Sequence, residues 1–175
     1  MAYFEDLSDY TYHHSYFYHP GTKNVGWLDA AHSFPKGAAS EEELDLIWMY
    51  CKVSVAQMRG LHDCEWCPPA ASNYAKRNEE PLLLGSSEIR VFGRNGTIYA
   101  APTLIYHYIS IHHYKPPDEF LRALSEGPKP PSQEYFERLK ELGLEWNPTS
   151  APATKPLRFK VVRTPDGQLK REIIG

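Results

Sequence analysis

The sequence predicts an α+β fold: a small antiparallel sheet packed against three or four helices, with a zinc clamp between distant segments. Three features predict it. A capped amphipathic helical pattern begins at residue 40, two β-patterned runs flank the turn Gly93–Gly96, and a Cys-x2-Cys turn is followed by paired histidines on a later helical stretch.

The chain of 175 residues has the length of one domain with an extension. Its 42% hydrophobic and 23% charged residues are ordinary globular usage, enough for a core without a disulfide scaffold. The first 35 residues are rich in aromatics, among them Tyr3, Phe4, Tyr10, Tyr12, Tyr16, Phe17 and Tyr18, and are punctuated by Pro20, Gly21, Gly26 and Pro35. They read as an ordered coat of loops and short strands, because so much aromatic surface is costly to leave in water. His13, His14 and His19, and Trp27, Asp29 and His32 further along the same stretch, read as packed surface rather than as ligand sites.

Ser40-Glu41-Glu42-Glu43 is a capping-box pattern, and Leu44, Ile47, Trp48, Cys51 and Val55 follow at helical spacing. The spacing predicts a helix over 41–58 with Gly60 at its stop and Cys51 buried on its apolar face. Glu88–Phe92 alternates like a strand, Gly93-Arg94-Asn95-Gly96 has turn chemistry, and Thr97–Ala100 is the returning strand. Pro102 suits the first turn of a helix over 103–113, with Leu104, Ile105, Tyr108 and Ile111 on one face, stopped by Pro116-Pro117. Asp118 and Glu119 open another helix carrying Phe120, Leu121 and Leu124, and 132–142 is a further one ended by Gly143. Residues 147–156 read as a linker, and 157–162 with 169–174 as a hairpin around Thr164-Pro165-Asp166-Gly167. The expected division is a zinc-binding α+β domain over 1–125 and an extension over 126–175, a helix and a basic hairpin packed on the same domain.

The chemistry concentrates in Arg59-Gly60-Leu61-His62-Asp63-Cys64-Glu65-Trp66-Cys67-Pro68. Two thiolates two residues apart can grip one ion from a single turn. A redox dithiol would want a strand before Cys64 and a helix starting at Cys67, and Pro68-Pro69 opposes that. The second half is His107 and His112. At about 100° per residue they fall on opposite edges of the apolar arc centred on Leu104, Tyr108 and Ile111, while His113 falls on the far side. Cys64, Cys67, His107 and His112 therefore form the candidate metal set, a Cys2His2 combination suited to tetrahedral zinc, with His62 as an alternative ligand. The 39 residues between Cys67 and His107 exceed the span of a DNA-reading zinc finger and suggest a clamp across a larger fold. Asp63 and Glu65 are the nearest candidates for a base and read as solvated carboxylates. No phosphate-binding Gly-x4-Gly-Lys, nucleophile elbow or His-Glu-x2-His motif occurs.

Asn24-Val25-Gly26-Trp27-Leu28-Asp29, the Arg59-Gly60-x-His62-x-Cys64-x2-Cys67 run, Glu88–Val91, Tyr99-Ala100-Ala101-Pro102 through Leu104–Tyr108, and His112–Phe120 together resemble a family of small uncharacterised bacterial proteins. The resemblance covers roughly residues 1–124. It implies a histidine at position 112 with small residues common at 113, favouring His112 as the ligand, and it implies no activity.

Net charge of −3 and a pI near 6.2 argue against a nucleic-acid protein held by bulk charge. No apolar run approaches the ~18 residues of a membrane span, and the first residues lack the basic and apolar regions of a signal peptide, so the expected location is cytoplasmic. The expected function is a non-enzymatic protein in which zinc is structural, an interaction or accessory module such as an immunity protein, with a protein partner docking on the aromatic N-terminal surface. The competing readings are a small zinc hydrolase or nuclease, and a nucleic-acid adaptor using Lys155, Arg158, Lys160, Arg163, Lys170 and Arg171.

Overall fold

Ser40 opens the first helix as its sequence dictates. Its hydroxyl accepts from the Glu43 amide and the Glu43 carboxylate accepts from the Ser40 amide, so the capping box closes in both directions. This helix, α1, covers Glu41–Lys52 and buries Ile47, Trp48, Tyr50 and Cys51. It ends six residues before the predicted last helical residue, 58. Val53–Val55 leave the helix as a strand, β2, because their extended backbone pairs with two neighbours in the sheet, a tertiary gain that outweighs the helical periodicity reaching Val55.

The computed structural model describes residues 2–12, 19–69 and 71–144, and the backbone of 146–148, 158–163 and 169–174. The remaining elements are β1 (Thr22–Asn24), β3 (Tyr74–Arg77), β4 (Glu80–Leu83), β5 (Glu88–Phe92), β6 (Ile98–Pro102), α2 (Ile105–His112), α3 (Asp118–Glu126), α4 (Gln133–Glu141), β7 (Trp146–Pro148), β8 (Arg158–Arg163) and β9 (Leu169–Ile174). The α+β class predicted from sequence is the one observed. The main sheet has the order β1-β6-β5-β2-β7 and is mixed rather than wholly antiparallel, because β1 runs parallel to β6. Residues 147 and 148, expected in a linker, join Trp146 in its edge strand. The hairpin β3–β4 was not foreseen: its turn residues Asn78 and Glu79 both take positive φ, and Glu79 gives no such signal. Pro102 ends β6 instead of opening the helix, which starts at Ile105 after a turn at Thr103-Leu104. The terminal hairpin β8–β9 pairs in register as expected. The Thr164–Gly167 turn and the readings of His13 and His14 lie outside the described residues.

All five residues of β5 and of β6 are buried, because elements cover both sides of the central strands. On one side lie the helices: Trp48 of α1 meets Tyr106 of α2 edge-on, Phe120 of α3 meets Tyr99, and the Cys51 Sγ contacts the Thr103 carbonyl at 3.6 Å. Tyr135 of α4 packs between Tyr50 and Phe92 and donates to the Arg90 carbonyl, so a helix beyond residue 125 belongs to this core. Gly127 makes that packing possible: a Cβ there would sit 1.9 Å from the Phe92 carbonyl oxygen. On the other side lies the N-terminal coat, joined by bridges Phe4↔Trp27 and Asp9↔Lys23. Tyr10 and Trp27 are buried over Ala100, and Phe4 and Tyr12 pack against Trp27.

Candidate metal centre

Cys64 and Cys67 face each other across a short turn closed by the Cys67 amide donating to the Cys64 carbonyl (3.3 Å). Residues 61–64 are neither helix nor strand, and 65–66 form the turn. Glu65 fastens this knuckle to the N-terminal coat by accepting from the Ala30 amide at 2.9 Å. The indole of Trp66 fastens it to α2, lying 5.8 Å from the Tyr108 ring and 5.4 Å from the His112 ring, with Phe34 on its other flank at 5.2 Å.

His107 lies in the first turn of α2 and His112 is its last residue. The helix stops there because His113 adopts φ +56, the left-handed conformation, and returns its amide to the Tyr108 carbonyl. His113 is exposed and takes no part in the cluster. The two Nε2 atoms of His107 and His112 approach to 3.1 Å. The Cys64 Sγ lies 3.2 Å from the His112 Nε2, and the Cys67 Sγ lies 3.4 Å from both imidazole Nε2 atoms. All four donor atoms fall within 4.8 Å of one another. An ion with bonds of about 2.3 Å to sulfur and about 2.0–2.1 Å to nitrogen would set tetrahedral edges of roughly 3.3–3.8 Å between its ligands. The donor set therefore has the size and composition of a metal site.

Burial shapes the electrostatics here. His107 is pushed down to about 4 by burial and by the neighbouring His112, and burial likewise lowers His112. Burial pushes the Cys64 thiol up to about 11. Burial thus favours the neutral imidazole, the ligating form, while a bound cation would displace the thiol protons.

The other singled-out residues lie elsewhere. The His62 Nε2 sits 3.4 Å from the Tyr12 hydroxyl, and His62 is not in the cluster. Asp29 accepts from the amides of Ala31 and His32 and pairs with the His32 Nδ1 at 2.8 Å, shaping a loop. Trp27 donates to the Ala100 carbonyl. Cys51 is buried, and burial raises its thiol pKa.

Two features escaped sequence reading. Glu88 and Arg90 form a buried ion pair (2.6 Å), with the Tyr10 hydroxyl donating to the carboxylate and its ring under the guanidinium. Ser72 and Asn73, buried polar residues just beyond the knuckle, brace it by hydrogen bonds. Neither carries a local motif; both depend on which residues the fold brings opposite them.

Residues 2–125 match the family described as a domain of unknown function, DUF7919. The chain belongs to that family. No curated protein and no solved structure matches it. The DUF7919 region contains all four clustered side chains and the segments that hold them, whereas α4 and the strands after it follow the matched residues. No helix among the described residues is long and apolar enough to cross a membrane.

Proposed function

We propose that this chain is a zinc-binding protein in which the ion is structural, held by Cys64, Cys67, His107 and His112, and that it works by recognising a protein partner rather than by catalysis. The observation that carries the reading is the meeting of two sulfurs and two imidazole nitrogens within 4.8 Å of one another, close enough to share one ion. Thiolate with imidazole favours zinc over the hard cations that prefer oxygen. Four protein donors complete zinc's coordination sphere and leave no position for a reacting water, which disfavours the hydrolase reading. Such an ion would contribute folding free energy by joining the knuckle to α2. Cysteines left as free thiols suit a reducing, cytoplasmic setting. Leu61 and Ile111, 51% and 58% exposed, stand near Cys64 and His112 in sequence and are the positions at which recognition is tested.

Metal analysis of the full chain, purified without a histidine tag, tests the centre. One zinc per chain is expected, lost in Cys67→Ser; less than about a tenth of an equivalent overturns it. X-ray absorption should then show two sulfur and two nitrogen neighbours, and an oxygen in place of a protein donor would overturn the structural role. Leu61→Asp and Ile111→Asp should each weaken a partner co-purified from the source cells. A partner held equally by both variants, or none captured, speaks against recognition through this face.

A further inference from the structure

A chain of hydrogen bonds, buried at both ends, runs from the Cys64 backbone to the segment that opens α2 without involving the four donor atoms. The Cys64 amide donates to the Ser72 Oγ at 2.8 Å, and Ser72 is 1% exposed. Next to it, the Asn73 Nδ2 donates to the His62 carbonyl at 2.9 Å, and the Asn73 carbonyl accepts from the Leu84 amide at 2.7 Å. The His62 amide donates to the Gly85 carbonyl at 2.8 Å, and the Gly85 amide donates to the Thr103 Oγ1 at 2.9 Å. Thr103 is 1% exposed and stands two residues before α2, which carries both histidines. Gly85 permits the crossing: its φ is +88, and a Cβ there would lie 2.4 Å from the His62 carbonyl oxygen.

We infer that Ser72 and Thr103 are positioning residues for the metal centre, holding the knuckle and α2 at ligand distance before an ion arrives. This rests on the metal reading above. The Cys64 amide is buried and must be satisfied; bonding it to Ser72 fixes the backbone that aims the Cys64 Sγ at His112. The Gly85–Thr103 bond ties that backbone to the start of the helix bearing the other two donors. A preformed site spends less binding free energy on ordering its ligands, so the bridge raises metal affinity.

Cobalt(II) titration of the full chain, with a competing chelator and the visible spectrum as readouts, tests this. Ser72→Ala and Thr103→Val, the second nearly isosteric, should each weaken cobalt binding by roughly 10–100-fold and alter the sulfur-to-cobalt bands, with circular dichroism unchanged. Ser72→Thr and Thr103→Ser, which restore the hydroxyl, should recover both. Wild-type affinity and spectrum in Ser72→Ala and Thr103→Val overturn the positioning role while leaving the metal centre standing. A wild-type chain that takes up no cobalt overturns the centre and, with it, this inference.

Discussion

Glu88 and Arg90 look like the wet face of an alternating strand, yet their side chains are 3% and 1% exposed. The reason lies far off in sequence: the N-terminal coat covers that face of β5, and Tyr10 lies over the pair. Burial and the Glu88 charge raise the Tyr10 pKa, keeping its hydroxyl a donor. Removing one partner of a buried pair leaves an uncompensated charge. Glu88→Ala should cost roughly 3–5 kcal/mol in urea unfolding, and the double variant Glu88→Leu/Arg90→Met distinctly less. Equal losses in both would show that the charge pair is not the source. The four clustered side chains were legible singly, since Cys-x2-Cys and the edge positions of a helical wheel are local patterns. The brace at Ser72 was not, because a serine announces nothing about the amide it will face.

At the level of elements, local chemistry decided where α1 starts and tertiary pairing decided where it stops. The capping box fixed the start of α1, and Ser40→Ala should lower stability by about 1 kcal/mol with the cobalt titration unchanged; a loss under a few tenths would mean that the cap is redundant. Ser132 caps α4 in the same manner, accepting from the Tyr135 amide. The end of α1 is a different matter, set at Lys52 by the sheet's need for β2. The parallel pairing of β1 with β6 also lies beyond local patterns, because its partners are more than seventy residues apart. In α2 the terminus itself serves the site: the left-handed turn at His113 ends the helix so that His112 can lean back toward His107.

Across the whole molecule, the proposed ion joins a knuckle in the sixties to a helix beyond residue 104, so its removal should be felt globally. With zinc at a thousandfold excess over its dissociation constant, binding contributes about 4 kcal/mol, and stripping the ion should lower Tm by roughly 10 °C. Differential scanning calorimetry with and without chelator measures this, and an unchanged Tm would remove the structural role. By itself, the sequence determined the α+β class, most helix starts, the central and terminal hairpins, and the four side chains worth watching, because caps, periodicity and ligand spacing act over a few residues. Only the tertiary structure decided that those four converge while His62 turns to Tyr12, that Glu88 and Arg90 are buried, and that Ser72 and Thr103 bridge the two halves. Those outcomes depend on which segments the core brings together, and burial and convergence are properties of neighbours in space rather than along the chain.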